Sequence, residues 1–262
     1  MKLSCLPVSF YPDFKSGKMD VAKWADMAKQ LGLDAIDLSV LITRQDKTKP
    51  EMPLDTIATY TDFTHPDETV RENEFSRFME DVRDCTAIGA QYLRVTAGQA
   101  HPQTSSGQGL DWAEKYMKRA AEFAESNKVG LLFENHSKPG VWNYYDFAGE
   151  PEIYFELIKR LENTKIDLLF DTANACYYKQ NPVCMLERIF PRVWRIHISD
   201  IIESENLKPV LIGKGIVPLS EIFKFLKQNR FSGAFSIEEA SFSGFEGVKN
   251  AVDTTRELWM NA

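Results

Sequence analysis

The segment VGLLFENH, residues 129–136, decides how the rest of the chain is interpreted. It is a short apolar run that ends in a carboxylate and an imidazole, Glu134 and His136. Successive side chains of a strand point to opposite faces, so Glu134 and His136 share one face. The bulkier Leu131 and Phe133 share the other, which suits packing against helices. The segment therefore predicts a buried strand with polar groups on its inner face at the carboxyl end.

Three later apolar runs also end in a polar side chain. These side chains are Asp171, His197 and Glu238. The separations along the chain from Glu134 through to Glu238 are 37, 26 and 41 residues, each about one strand–helix unit. Consecutive strands of a parallel barrel are neighbours, and functional groups lie at their carboxyl ends. The spacing therefore predicts that all four side chains converge at one end of a barrel.

Apolar, β-branched runs alternate with helical patterns along the whole chain. Strands are predicted at 3–9, 34–38, 56–61, 91–97, 129–134, 166–171, 193–198 and 233–238. Helices are predicted at 20–31, 74–88, 112–127, 151–161, 219–229 and 248–260. Eight such units predict an α/β protein with parallel strands, a single (β/α)₈ TIM barrel that forms one domain over residues 1–262. The alternative is an open doubly wound sheet, but no Gly-rich turn follows an early strand.

The composition is that of a soluble globular protein, with 44% hydrophobic and 26% charged residues and a net charge of −7. The acidic balance argues against a broad electrostatic contact with nucleic acid. No apolar run approaches the roughly 18–20 residues of a membrane span, and the first apolar stretch is too short for a signal peptide. The four cysteines lack metal-site spacing, so they are expected to be reduced and mostly buried. A cytoplasmic protein is expected.

Three carboxylates and one imidazole at the same barrel end form an oxygen-rich pocket that needs a cation, because crowded like charges raise one another's pKa. Any one of these residues alone would be a surface charge or a helix cap. Four of them at matching strand ends favour a metal site made by Glu134, Asp171, His197 and Glu238. Oxygen ligands with one histidine suit Mn²⁺, Mg²⁺ or Co²⁺, with Zn²⁺ as a further alternative. We expect one divalent ion, Mn²⁺ first among them.

The strings LFENH, FDTAN, RIHISD, IGKG and FSIE, which end at residues 136, 174, 200, 215 and 238, resemble motifs of a known group. This is the xylose isomerase-like sugar phosphate isomerase/epimerase superfamily. It includes hydroxypyruvate isomerase, ketose 3-epimerases, inosose isomerase and dehydratase, 3-dehydroshikimate dehydratase and endonuclease IV. The resemblance implies a (β/α)₈ barrel and the same four metal ligands. It also implies, from the epimerase members, that Glu134 and Glu238 are the acid/base pair.

Other residues are candidates for the same site. In dehydratase-like members a histidine at the position of His136 takes part in proton transfer, which makes it a third catalytic candidate; the alternative is a positioning role. The candidate substrate-binding residues are Arg94, His101, Lys138, Trp142 and Asn174. Lys138 stands where the family commonly has glycine, and its charge favours an anionic substrate group.

Two polar residues near the cluster are expected to be structural. Arg195 shares the inner strand face with His197 and is predicted to pair with Asp167 or another interior carboxylate. Asp200 is expected to bind the backbone of the barrel rim rather than substrate.

The function that these features favour is a metal-dependent isomerase or epimerase of a small sugar, keto-sugar or polyol-derived carbonyl compound. Two glutamates would transfer a proton through a metal-stabilised enediolate. A metal-dependent lyase or dehydratase on a keto-sugar, inosose or dehydroshikimate-like substrate is the alternative. An endonuclease IV-type enzyme is disfavoured by the small number of histidines, and a barrel that only binds sugar is disfavoured by the intact ligand set. Association into homo-oligomers is left open.

Overall fold

The structure is a computed structural model that describes residues 1–137, 139–177, 180–203 and 208–262. Eight parallel strands form one sheet in the order β1-β8-β7-β6-β5-β4-β3-β2. They are β1 Leu3–Leu6, β2 Ile36–Ser39, β3 Leu54–Ala58, β4 Tyr92–Val95, β5 Gly130–Glu134, β6 Ile166–Asp171, β7 Val193–Ile198 and β8 Ala234–Glu238. The Asp34 N–H donates to the Leu3 carbonyl at 2.9 Å, which brings the approach to β2 against β1. The predicted (β/α)₈ barrel is confirmed.

Helices surround the sheet. They are α1 Tyr11–Ser16, α2 Val21–Gln30, α3 Val40–Thr43, α4 Glu68–Ala87, α5 Ser106–Ser126, α6 Pro151–Arg160, α7 Thr172–Tyr177, α8 Pro182–Ile189, α9 Leu219–Gln228 and α10 Gly244–Asn261. Their starts carry ordinary sequence signals. Asp20 caps α2 by accepting from the Lys23 N–H, and Ser105 and Gln108 form a capping box at α5. Proline begins α6 and α8, where its missing N–H has no intrahelical partner to lose.

The strands divide the core into two layers. Outward side chains such as Leu131, Phe133 and Phe170 belong to the continuous hydrophobic core between sheet and helices. Leu132 and Leu169 are fully buried but lie outside that cluster, as expected for the barrel interior. This alternation places the polar residues at the ends of β5–β8 on the inside.

Several predicted boundaries are wrong, and local geometry explains them. β6 and β7 agree with the prediction to the residue, whereas β3 begins and ends earlier than the predicted 56–61, and its pairing with β2 contains a register shift. The helices predicted to begin at Glu74 and Trp112 begin six residues earlier, after the caps Asp67 and Ser105. The first turn after each cap is polar on most sides. The apolar periodicity therefore begins late, and it underestimates the length of both helices.

The structure confirms the predictions for the two polar residues near the cluster, with Arg195 in the second of its two predicted pairings. Arg195 forms a buried ion pair with Asp55 rather than Asp167, which is exposed near the start of β6. The predicted interior carboxylate is thus supplied by β3. Asp200 accepts hydrogen bonds from the backbone N–H groups of Gly213, Gly215 and Val217, so its expected structural role is confirmed.

The cysteines are all free, but only two of the four are buried. Cys5 and Cys85 are buried, Cys176 is half-buried and Cys184 is exposed, so the expectation of mostly buried thiols is only half right. Within the described ranges, no helix is long and apolar enough to cross a membrane.

Candidate metal centre

Four side chains from consecutive strands meet at the carboxyl end of the barrel. They are Glu134, Asp171, His197 and Glu238, and each offers a ligand atom such that all four atoms lie within 4.8 Å of one another. Nδ1 of His197 is 3.0 Å from Oε1 of Glu134 and 3.2 Å from Oε2 of Glu238. The strand register sets this meeting, because Asp171 and His197 are direct neighbours across β6 and β7. We call these four residues the mouth cluster.

Hydrogen bonds around Asp171 hold its carboxylate in place. The Ser199 hydroxyl donates to both carboxylate oxygens, at 2.9 and 2.8 Å, and the Asn174 backbone N–H donates to Oδ1 at 2.6 Å. The Asn135 side chain exchanges two hydrogen bonds with the Asp171 backbone, which joins the ends of β5 and β6. Nε2 of His197 has no hydrogen-bond partner among the described residues, so the ring is oriented by Nδ1 and the two glutamates.

The charges in the mouth cluster perturb one another strongly. Burial raises the pKa of Asp171, and the neighbouring Glu238 and Glu134 add to this, to about 8. Burial alone would lower the pKa of His197, but the hydrogen bond and charge of Glu134, together with Glu238, raise it to about 10. Without a cation, protons on Asp171 and His197 therefore keep this site near neutrality at pH 7.

Arg94 makes the surroundings of Glu134 different from those of Glu238. Its Nε lies 3.1 Å from Oε2 of Glu134, and both side chains are almost fully buried. Burial alone would raise the pKa of Glu134, but Arg94 and the hydrogen bond from His197 bring it down to about 2. Glu134 is 1% exposed, whereas the Glu238 side chain is 31% exposed and lines the cavity above the cluster. Glu238 is thus the more accessible carboxylate.

The donor set fits a divalent cation. Two ligand atoms at right angles around an ion, each about 2.1 Å from it, lie about 3 Å apart, close to the His197–glutamate distances. Three carboxylates with a single histidine match the preferences of Mn²⁺, Mg²⁺ or Zn²⁺. One such ion would also replace the two protons that Asp171 and His197 otherwise carry. The mouth cluster can therefore hold one divalent metal without a change in its net charge.

A cavity of about 420 Å³ opens above the mouth cluster. Asp171, Glu238 and His136 reach its wall, so a ligand in the cavity would contact all three. Nδ1 of His136 lies 3.5 Å from Oδ2 of Asp146, a fully buried carboxylate in the loop after β5. The wall of the cavity thus contains both the Glu238 carboxylate and the His136 imidazole, and the Asp146 carboxylate lies next to that imidazole.

The predicted substrate-binding residues are placed differently from one another. Arg94 and Asn174 line the cavity. Trp142 is buried and packs edge-on against the His136 ring at 5.9 Å, so it supports that histidine. Nε2 of His101 pairs with Asp62 at 2.8 Å and lines a smaller neighbouring cavity. Lys138 lies outside the described residues.

Sequence reasoning missed several residues that shape the site. Asp146 lies in an irregular loop, where no periodic pattern marks it. Tyr60 lies beneath Arg94 with its ring 5.0 Å from the guanidinium carbon, and Tyr11 reaches the cavity from α1. Ser199 could have been found, because it shares the inner strand face with His197 two residues before it.

Comparison with known proteins assigns the chain to a family. The sequence profile of the Xylose isomerase-like TIM barrel family matches residues 25–259. The chain belongs to that family.

Individual relatives are remote. Inosose dehydratase of Clostridium beijerinckii is 24% identical over 130 residues, which cover 43% of this chain and 44% of that enzyme, so the match spans less than half of its length. Two solved structures share the fold. One is the IolI protein with a bound zinc atom, with a TM-score of 0.78, 15% identity and coverage of 100% of this chain and 99% of that one. The other is 3-keto-D-glucoside 4-epimerase from E. coli, with a TM-score of 0.76, 13% identity and 99% coverage of both chains.

Proposed function

We propose that the protein is a divalent-metal-dependent isomerase or epimerase of a small sugar-like hydroxy-carbonyl compound. The observation that carries the proposal is the mouth cluster itself, four ligand atoms within 4.8 Å beneath an open cavity. The fold is shared with a keto-glucoside epimerase, which supports the same class of substrate. We also propose a cytoplasmic location, in keeping with four free cysteines.

We propose that Glu134, Asp171, His197 and Glu238 bind the metal and that it is Mn²⁺. Three carboxylate ligands favour a hard ion. The zinc atom in the related IolI structure makes Zn²⁺ the competitor to be tested. When bound, the ion would polarise the substrate carbonyl and acidify the neighbouring C–H bond.

Glu238 is the proposed base that removes the proton from carbon. It lines the cavity and remains partly exposed, so a substrate carbon can approach its free oxygen. Glu134 is less suited to this first step, because Arg94 holds its pKa at about 2, which makes it the weaker base, and because it is more buried than Glu238. A positioned base of this kind contributes about 10²–10⁴-fold to the rate.

The proton returns to the substrate from a second group. Glu134 is the proposed partner of Glu238 in the isomerase or epimerase reaction, since it lies across His197 from Glu238 and belongs to a strand three positions away around the barrel. Because its low pKa leaves it ionised at pH 7, it would first take a proton from a substrate hydroxyl group and then deliver that proton to carbon, while Glu238 returns its own proton to the oxygen. A proton delivered from this side would arrive at a different atom or face from the one that Glu238 deprotonated.

A dehydratase is the second candidate, and the pair of His136 and Asp146 favours it. His136 lines the cavity, and Asp146 lies behind its Nδ1. An imidazole held in this way can protonate a departing hydroxyl group while Glu238 removes the proton from carbon. The similarity to inosose dehydratase supports this candidate.

The test is to incubate the Mn²⁺-loaded protein with keto-sugars, inososes and 3-keto-glycosides in D₂O. Deuterium incorporation at carbon without loss of water indicates an isomerase or epimerase, and loss of water indicates a dehydratase. Glu238→Gln should abolish both outcomes, whereas Glu221→Gln, at an exposed position on α9, should leave them unchanged. The proposal fails if no compound exchanges, or if Glu238→Gln exchanges like the parent protein.

A further inference from the structure

A second cavity of about 490 Å³ lies beside the one above the mouth cluster. It is formed by α1, α3 and the loop after β5, all at the carboxyl end of the barrel. Tyr11, Leu41 and Val141 belong to the walls of both cavities. The second cavity is therefore adjacent to the catalytic one, with these three side chains between them.

The barrier between the two cavities is slight. Val141 comes from the loop after β5 and is 54% exposed, so little packs against it. Leu41 is half-buried at the start of α3. A ligand longer than a single sugar ring can thus extend from the mouth cluster past Val141 without displacing the barrel core.

The two cavities differ in chemistry. The apolar part of the wall of the second cavity includes Phe14, Met19 and Ile42. Its two carboxylates are already occupied, since Asp20 caps α2 and Asp46 accepts from the Val21 N–H at 2.9 Å. Lys15 and Gln45, which also line this cavity, are exposed side chains. The second cavity therefore offers mainly contact with apolar groups, whereas the first ends in charged groups.

We propose that the second cavity binds an apolar appendage of the substrate, an aryl or alkyl group attached to the polyhydroxy carbonyl part. This inference rests on the proposed function, because the mouth cluster must hold the polar end. The substrate class is then a glycoside or similar conjugate rather than a free small sugar. Burial of the appendage would supply affinity at roughly 25 cal/mol per Å² of apolar surface.

Hydroxamic acids provide a test that needs no knowledge of the substrate. Acetohydroxamic acid chelates a divalent ion through two oxygens, as a hydroxy-carbonyl group would. Phenylalkyl hydroxamic acids with one to four methylene groups carry the same chelating end and an aromatic ring at increasing distance. Their dissociation constants with the Mn²⁺-loaded protein are measured by calorimetry.

The expected result is that one or two chain lengths bind about tenfold or more tightly than acetohydroxamic acid, because their ring reaches the second cavity. Val141→Trp should fill the passage and remove the gain in affinity that the phenylalkyl group provides over acetohydroxamic acid. Ile216→Trp is the matched control, since Ile216 is a β-branched residue that is 52% exposed and lines neither cavity. Phe14→Ala is an independent variant that removes an apolar side chain from the wall of the second cavity only. It should reduce the gain in affinity of the phenylalkyl compounds.

The outcomes separate this inference from the proposed function. If acetohydroxamic acid binds and the phenylalkyl series binds no tighter, the second cavity is not a subsite and the inference is overturned. A gain that persists in both Val141→Trp and Phe14→Ala overturns it as well. If no hydroxamic acid binds the Mn²⁺-loaded protein, the metal site fails, and the inference that rests on it fails too.

Discussion

The barrel interior contains two clusters of buried charge, and their difference separates a structural arrangement from a chemical one. The interior network consists of Ser4, Asp37, Asp55, Arg195 and Ser236. The mouth cluster consists of Glu134, Asp171, His197 and Glu238. Both are made of side chains on the inner faces of strands.

Each carboxylate of the interior network is paired with another member of that network. Asp55 pairs with Arg195, and Asp37 accepts hydrogen bonds from Ser4 at 2.6 Å and from Ser236. Burial raises the pKa of Asp37, and Arg195 opposes this rise. Every carboxylate in this network therefore has a donor or a cation supplied by the protein, and none lines the cavity above the mouth cluster.

The mouth cluster is balanced in a different way, by protons on Asp171 and His197 rather than mainly by groups that are always charged. Glu134 and Glu238 both face Nδ1 of His197, and burial together with the charges of Glu238 and Glu134 raises the pKa of Asp171. Apart from Arg94, the protein places no permanent cation against these carboxylates within the described residues. A cluster that protons keep near neutrality and that opens into a cavity is the arrangement expected where an exogenous cation can replace those protons and a ligand can bind beside it.

The largest expected effect is a loss of activity when the mouth cluster is altered. Glu238→Gln should lower the rate of deuterium exchange by about 10²–10⁴-fold, since it removes the accessible base. The melting temperature in EDTA should change little, because the substitution removes one of three crowded carboxylates. Exchange rates and thermal melts of the same preparation measure the two effects. A strong loss of stability with full activity would reverse the roles assigned to the two clusters.

For the interior network we expect a substitution to lower stability. Arg195→Met should lower the free energy of unfolding by about 3–5 kcal/mol, because it leaves Asp55 buried without its cation. Urea denaturation measures this loss. The double variant Arg195→Met/Asp55→Leu is the control, and it should recover much of the stability. A loss below about 1 kcal/mol for the single variant would show that the ion pair is not what stabilises this network.

The sequence predicts the mouth cluster better than its surroundings, for a physical reason. The four residues of the mouth cluster lie at the ends of strongly apolar strands, and the alternation of side chains fixes their direction. Strands β6 and β7 match their predicted bounds for the same reason. Barrel closure then places neighbouring strand ends together whatever the loops do.

What the sequence does not predict depends on contacts between distant segments. The pairing of Arg195 with Asp55 joins residues 140 positions apart, and the register shift between β2 and β3 determines which residue of β3 faces inward. The short helices α1 and α3 have too few turns for a periodic pattern, so the second cavity they form could not be expected. Asp146 likewise acquires its role only when its loop folds over His136.

Metal binding should be linked to protons at the mouth cluster. In the metal-free protein, Asp171 with a pKa of about 8 and His197 with a pKa of about 10 both carry a proton at pH 7. A divalent ion displaces both, so its affinity should rise by up to about 100-fold per pH unit below pH 8 and by about tenfold per unit between pH 8 and 10. Calorimetry in buffers of different ionisation enthalpy should detect about two released protons at pH 7.

The variant Asp171→Asn sharpens that experiment. It removes one of the two titrating groups, so the number of protons released at pH 7 should fall from about two to about one. In EDTA the folded wild-type protein keeps a proton on Asp171 that the unfolded chain loses above about pH 4. Wild-type stability should therefore decline from about pH 4 to pH 8, and this decline should be weaker in Asp171→Asn. Equal proton release by both proteins would contradict the assignment.

The smallest expected effect is at Asp146. It resembles the interior network in its burial, but it lies behind His136, which lines the cavity above the mouth cluster. For the dehydratase candidate, Asp146→Asn should weaken the orientation of His136 and slow loss of water from substrate by roughly 10–100-fold, the scale of supporting-residue effects. Deuterium exchange at carbon should stay near the wild-type rate, because Glu238 is untouched. Exchange and dehydration are measured in the same D₂O reaction. If both fall together with the melting temperature, Asp146 holds the loop rather than the imidazole, and it belongs with the structural charges.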